Sequence, residues 1–213
     1  MKTDELVALL AAGATPVDQN TGARRFGLAL VWGGLGAALW MAVTLGVRSD
    51  LAPMALIPMF WVKLAFPASL AVVGLVAAER LSRPGMRLGG LWAGLAVPVL
   101  LVWLMGAGAF VNAAPAQRHA LIFGSTWASC PFSIAMLSIP VLMGVFWAMK
   151  GLAPTRPALA GAAAGLLAGA VGALVYALHC PEMAAPFLGI WYIAGMAIPA
   201  MAGALLGPRL LRW

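Results

Sequence analysis

The chain has 213 residues, of which 63% are hydrophobic and only 9% are charged, and its formal net charge is +7. A soluble domain carries about 25% charged residues, and roughly a third of the surface of a small domain stays in contact with water. This composition therefore excludes a soluble protein and predicts an integral membrane protein.

The first predicted unit is a cytoplasmic leader, residues 1–25, which contains a short amphipathic helix at 3–12. Thr3 is a candidate N-cap, and Asp4 and Glu5 lie in the first turn, where acidic side chains favour a helix. Four residues form its apolar face at helical spacing: Leu6, Val7, Leu9 and Leu10. So short a helix is marginal alone in water, so we expect it to need a partner, which could be the membrane surface, the bundle or another protein.

The second predicted unit, residues 26–213, is an all-α membrane domain, a bundle of six transmembrane helices. Each of six runs almost free of Asp, Glu, Lys and Arg is long enough for one span of about 20 residues and too short for two. The predicted spans lie near 26–46, 57–78, 89–110, 129–149, 157–178 and 187–207. The first run exceeds the apolar region of a signal peptide and is predicted to be retained. The spacing of Gly161, Gly165 and Gly169 predicts close packing of two helices.

The basic residues indicate the topology. With the N-terminus in the cytoplasm, the outer loops contain only Arg48 and Arg118, which is a strong positive-inside bias. Ten basic residues then lie on the cytoplasmic side: Lys2, Arg24, Arg25, Arg80, Arg83, Arg87, Lys150, Arg156, Arg209 and Arg212. Both termini are therefore predicted to be cytoplasmic. The charge reflects this topology and contact with anionic membrane lipid, so lipid is a predicted partner and nucleic acid is not.

This topology puts both cysteines on the outer side. Cys130 and Cys180 each precede a proline, which favours a break in helical structure. On an oxidising side of the membrane the pair could form a disulfide, or the thiolates could bind a soft metal ion, with His119, His179 and Glu182 as candidate auxiliary ligands. The spacing matches no standard zinc site. The residues alone leave a structural disulfide and redox or metal sensing equally open, with no cofactor beyond a transient soft metal ion.

Lys63 is the only charged side chain inside a predicted span. A charge at mid-helix costs about 3 kcal/mol on insertion scales. Because Lys63 lies a turn or two from the outer end of the second span, we favour snorkelling to the interface or a structural polar contact over a role in proton or substrate transfer. No acidic residue inside a span can pair with it. The chain also has none of the GxSxG, P-loop, HExxH or dinucleotide-binding patterns, so no enzymatic activity is predicted.

Four segments together resemble the NrsF-like family of bacterial six-span proteins, the negative regulators of sigma F. They are the leader "MKTDELVALLAAGATPV", the second-span segment "WVKLAFPASL", "CPFSIAMLSIPVLMGVFWAMKGLAPTRP" and "AGAAAGLLAGAVGALVYALHCPEMAAPFLGIWYIAGMAIPAMAGALLGPRLLRW". The resemblance covers essentially the whole chain. It is most specific in the C-terminal half, which carries both Cys-Pro dipeptides and the final "GPRLLRW".

The resemblance implies an anti-sigma factor of the bacterial inner membrane that holds a sigma factor of the extracytoplasmic-function type and releases it under heavy-metal or oxidative stress. The family's paired, signal-responsive cysteines fall on Cys130 and Cys180. We expect the leader to bind the sigma factor as a helix in a groove, through six residues: Thr3, Asp4, Glu5, Leu6, Leu9 and Leu10. Two alternatives stay open. One is a small-solute or metal transporter, although the chain lacks the internal repeats and paired membrane charges expected of such a protein. The other is a membrane thiol–disulfide redox protein, which would use Cys130 and Cys180 as its redox pair but usually has a second cysteine pair and a quinone site.

Overall fold

The computed structural model describes residues 3–12, 20–86 and 88–212, without the side chains of Leu9 and Leu10, and every regular element in that part of the chain is helical. Ten α-helices, α1 to α10, follow in chain order: Thr3–Ala12, Thr21–Thr44, Leu51–Met54, Pro58–Leu81, Leu91–Asn112, Pro115–Phe123, Cys130–Met149, Pro157–Ala177, Ala185–Phe187 and Ile193–Leu210. A π-helical turn, Leu188–Tyr192, joins α9 to α10.

The prediction of six helices that could cross a membrane is confirmed within the described residues. The segments long and apolar enough to do so are Thr21–Thr44, Pro58–Leu81, Leu91–Asn112, Cys130–Met149, Pro157–Ala177 and Ala185–Leu210. The largest difference from the predicted bounds is at the start of α2, where helical hydrogen bonding already includes Arg24, whose N–H donates to the Asn20 carbonyl. A helix continues beyond its apolar run because its backbone bonds do not depend on side-chain polarity.

Helix α8 is the centre of the bundle and packs against α10, α4 and α7. Its contact with α10 is made by small residues on both sides, as the glycine spacing predicted. A Cβ placed on Gly165 would collide with the backbone at Pro199, and one on Gly161 would collide with that at Gly203. Small side chains let two helix backbones approach closely enough for extensive van der Waals contact in lipid, so these glycines determine the α8–α10 distance.

Helix α2 packs on α7 in a similar way, with Gly33 against Val141 and Gly144 against Ala29. Helix α5 is peripheral by contrast, since only Val102 and Gly106 among its residues are buried. It contacts α4 along its side and α9 near its C-terminal end.

The two ends of the bundle differ in charge. One end, called here the cysteine end, is formed by the connecting segments 45–57, 113–129 and 178–184, which contact each other through hydrogen bonds. The opposite end, called the basic end, includes the start of α2, the connections after α4 and α7, and the end of α10. Its described basic residues are Arg24, Arg25, Arg80, Arg83, Lys150, Arg156, Arg209 and Arg212, whereas Lys2 and Arg87 lie outside the described residues. Arg25 and Lys150 meet at this end, because Arg25 Nη1 donates to the Lys150 carbonyl over 3.2 Å.

Candidate functional site: a buried cysteine pair

The fold brings Cys130 and Cys180 into one apolar cluster at the cysteine end. Cys130 is the first residue of α7, and its N–H donates to the Thr126 carbonyl over 2.9 Å. Cys180 follows α8, and its N–H donates to the Tyr176 carbonyl over 2.9 Å. Both are free cysteines, and their thiols are near enough to interact electrostatically.

Both cysteine side chains are completely buried, with 0% of their surface exposed. Cys180 lies at a break in helical structure, as predicted, whereas Cys130 is the first helical residue of α7, and both side chains lie beneath the protein surface. Other buried members of the same cluster include Ile134, Leu137 and Phe187. Because interiors are packed about as densely as organic crystals, a reagent in solution can reach these thiols only when the cysteine end opens locally.

Lys63 joins the site from the second turn of α4. Its side chain is also 0% exposed, and its Nζ donates hydrogen bonds to the carbonyl oxygens of Cys180, over 2.6 Å, and Glu182, over 2.9 Å. The ammonium lies 5.9 Å from the centroid of the Tyr192 ring, within the range of a cation–π contact. The side chain thus does not snorkel to the interface; it makes a structural polar contact with backbone carbonyls.

Arg48 covers the cluster from the connection between α2 and α3. Its Nη1 donates to the Cys180 carbonyl over 3.1 Å, and its backbone N–H donates to the Leu178 carbonyl over 3.3 Å. Its Nε and Nη2 bind both carboxylate oxygens of Asp50, over 2.6 and 2.8 Å. This pairing lowers the pKa of Asp50 below its ordinary value and raises that of Arg48. The Cys180 carbonyl therefore accepts from two cations that come from different parts of the chain.

The three candidate auxiliary ligands have other neighbours. His179 Nδ1 is 2.9 Å from the Gly46 carbonyl oxygen. Glu182 Oε1 accepts from both the N–H and the hydroxyl of Ser125, each over 2.7 Å. His119 is exposed on α6 and stacks on Phe123, with 4.6 Å between ring centroids.

These contacts make the cysteine end a closed structure in which His179 and Glu182 connect the segment around Cys180 to both neighbouring loops. In the ranges that the structure describes, no group of three or more His, Cys, Asp or Glu side chains is arranged to hold a metal ion. The roles of His119, His179 and Glu182 as metal ligands stay predictions. Among the described residues, Cys130 and Cys180 are the side chains that could offer sulfur ligands to a soft metal ion.

Two further residues of the site, Tyr176 and Tyr192, were not predicted from the sequence, and they are the only tyrosines in the chain. Both are buried in the cysteine cluster, and their ring centroids are 6.1 Å apart. Tyr192 ends the π-helical turn, an element frequent at functional sites. Their signal in the sequence was rarity, together with the position of Tyr176 one helical turn before Cys180.

The leader contains the helix α1, with Asp4 and Glu5 in its first turn. Thr3 and Leu6 are exposed on it, and so is Val7, with 42% of the Leu6 surface and 59% of the Val7 surface accessible. The side chains of Leu9 and Leu10 and residues 13–19 lie outside the described residues. Sigma-factor binding by this helix stays a prediction.

Comparison with known proteins gives the family. The family model described as "Negative regulator of sigma F" matches residues 10–213. A relative from Azospira oryzae, named "Probable anti-sigma-F factor NrsF", is 54% identical over 213 residues and 100% of both chains. A relative from Caulobacter vibrioides, named "Anti-sigma-F factor NrsF", is 39% identical over 225 residues and 100% of both chains. No solved structure shows a significant match. The chain belongs to the NrsF family, the negative regulators of sigma F.

Proposed function

We propose that this protein is an anti-sigma factor that holds a sigma factor of the extracytoplasmic-function type at the bacterial inner membrane. It releases the sigma factor when Cys130 and Cys180 react with a heavy metal or an oxidant. Full-length similarity to two relatives named as anti-sigma-F factors supports the first statement. The observation that carries the second is that the fold buries the only two cysteines of the chain in one cluster.

The proposed orientation puts the basic end in the cytoplasm and the cysteine end on the outer side. The concentration of Lys and Arg at the basic end supports it, since short cytoplasmic loops carry an excess of these residues. The sensing thiols and the sigma factor are then on opposite sides of the membrane. A signal must therefore pass along the helices.

Helices α7 and α2 provide a physical route. Cys130 begins α7, and α7 packs closely on α2 through Gly33 and Gly144. The α2 helix begins at Thr21, so its first residues are the last five of the leader. A reaction at Cys130 that displaced the start of α7 would change its contact with α2 and hence the position of the leader. The reaction shifts the equilibrium only if it favours one arrangement of the bundle over the other.

The leader helix α1 supplies the sigma contact. Its exposed Leu6 is part of an apolar stripe suited to a groove between helices of a partner. Asp4 and Glu5 in its first turn add negative charge that would pair with basic residues of the sigma factor. Thr3, Leu9 and Leu10 complete the proposed binding surface.

A pull-down with the detergent-solubilised protein tests both the binding of a sigma factor and the role of the leader in that binding. The full chain should retain its cognate sigma factor, and a variant lacking residues 1–25 should not. A Leu6→Asp variant should lose binding, whereas Thr44→Ala, at the far end of α2, should keep it. Failure of the intact chain to bind would refute the anti-sigma activity.

The same pull-down tests whether Cys130 and Cys180 trigger release of the sigma factor. Mercuric ion or diamide should release the sigma factor from the wild-type protein. A variant with Cys130→Ser and Cys180→Ser should bind the sigma factor and keep it under the same treatment. Equal release from both proteins would exclude the cysteines as the trigger while leaving the anti-sigma activity intact.

A further inference from the structure

An open apolar groove of about 380 Å³ lies on the side of the bundle between α4, α5, α8 and α10. Two of its lining residues, Leu70 and Met196, also belong to the cysteine cluster. Its floor is made of small side chains, among them Ala162, Ala197 and Ala200. The groove exists because α5 is held mainly by α4 and by the segment around α9, and small residues leave the space beneath it unfilled. Gly106 of α5 approaches Pro186, and Trp103 Nε1 donates to the Gly189 carbonyl over 2.9 Å.

The length of the groove matches one leaflet of a bilayer. Its lining on α4 runs from Leu70 to Leu81, a rise of about 17 Å at about 1.5 Å per residue. The hydrocarbon core of a bilayer is about 30 Å thick, so one leaflet is about 15 Å. The groove therefore extends from the basic end to about the middle of the membrane.

The mouth of the groove at the basic end carries a cation and an interfacial aromatic residue. Arg80 Nη1 donates to the carbonyl of Leu88, a residue that lines the groove, over 3.2 Å. Trp92 lines the same end and is 64% exposed. An arginine has five N–H donors, so this bond leaves donors to spare, and in the described part of the chain Arg80 forms no ion pair.

We propose that the groove binds one acyl chain of an anionic phospholipid, and that Arg80 holds the lipid phosphate at its mouth. Arginine pairs with phosphate through charge-assisted hydrogen bonds, and tryptophan is enriched at the level of lipid headgroups. The wholly apolar groove provides no polar partner for a peptide backbone, which in lipid must have its hydrogen bonds satisfied. This site does not depend on the anti-sigma activity.

The test is native mass spectrometry of the full chain in detergent, with added phosphatidylglycerol or phosphatidylcholine of identical acyl chains. We expect one phosphatidylglycerol per chain to be retained at concentrations where phosphatidylcholine is not. Arg80→Gln should raise the dissociation constant for phosphatidylglycerol about tenfold, the effect of losing roughly 1.4 kcal/mol. Arg118→Gln, at the cysteine end, is the matched control and should leave it unchanged.

A second variant tests the groove itself. Ala197→Phe should fill it and abolish the retained lipid, and its melting temperature should no longer rise with phosphatidylglycerol as that of the wild type does. If Ala197→Phe does not fold, Val99→Trp replaces it. Equal retention of the two lipids, or unchanged retention after the groove is filled, would overturn the proposal. So would dimers of the wild-type protein that are lost when the groove is filled, since that loss would identify a second copy of the chain as the occupant.

Discussion

The ammonium group of Lys63 donates hydrogen bonds to the carbonyl oxygens of Cys180 and Glu182, at 2.6 and 2.9 Å, and so holds the chain on both sides of Pro181. Helix α4 is thereby connected directly to the segment that carries one of the two buried thiols. Hydrogen bonds to charged groups contribute about 1.5–3 kcal/mol each. The closed form of the cysteine end consequently depends on a residue that is far from either cysteine in sequence.

Replacing Lys63 by Met should loosen that segment. Because the Glu182 carbonyl would lose its bond to Lys63, we expect a loss of unfolding free energy of about 1–3 kcal/mol and faster alkylation of Cys180 by N-ethylmaleimide. The rate is measured in detergent by the mass of the intact protein. Lys150→Met, at the exposed basic end, is the control. An unchanged rate in Lys63→Met would show that this contact does not restrain the thiol.

Burial of the thiols makes a prediction for the unaltered protein. Both cysteines should react with a maleimide far more slowly than a cysteine placed at exposed position 128, by Ala128→Cys in a Cys130→Ser, Cys180→Ser background. The difference should disappear in SDS, which unfolds the cluster. Equal rates in the folded proteins would contradict the packing of Cys130 and Cys180.

The contact between α8 and α10 should tolerate no added methyl group. Gly165→Ala would push a Cβ into the backbone at Pro199, and such overpacking costs about 1–3 kcal/mol or more. In Gly34→Ala, on α2, the new Cβ has no neighbour within 4 Å, so we expect no loss. Melting temperatures of the two variants in the same detergent compare them directly. A Gly165→Ala protein as stable as Gly34→Ala would show that the helices can separate without cost.

The Arg48–Asp50 pair predicts a pH dependence. Arg48 lowers the pKa of Asp50 from its ordinary value of 3.8, so the folded protein binds the carboxyl proton less tightly than the unfolded chain. The stabilisation is then complete above about pH 4 and is lost as the pH falls through the lowered pKa. The difference in melting temperature between the wild type and Asp50→Asn should be constant from pH 8 to 5 and shrink below pH 4. Because Asp50 is half exposed, the difference should also decrease with added salt.

The spans and the common location of the cysteines at one end could be predicted because they depend on local patterns. A run of apolar residues is confined to the membrane whatever it packs against. Successive spans cross in opposite directions, so the connecting segments alternate between the two ends of the bundle. The burial of Cys130 and Cys180 could not be predicted in this way. It results from contacts between distant segments, as in the bond between Arg48 and Cys180, which are 132 residues apart.

Composition and the order of apolar runs by themselves determined that this chain is helical, that six of its segments can cross a membrane, and that most of its basic residues gather at one end. The tertiary structure alone decided that Lys63 faces the protein interior, that Arg48 covers Cys180, and that both tyrosines surround the thiols. The physical reason is that both cations bind backbone carbonyl oxygens. Lys63 donates to the carbonyls of Cys180 and Glu182, and Arg48 also donates to that of Cys180. Every residue carries a backbone carbonyl, so no side-chain pattern can indicate which of them the folded chain will bring to a buried cation.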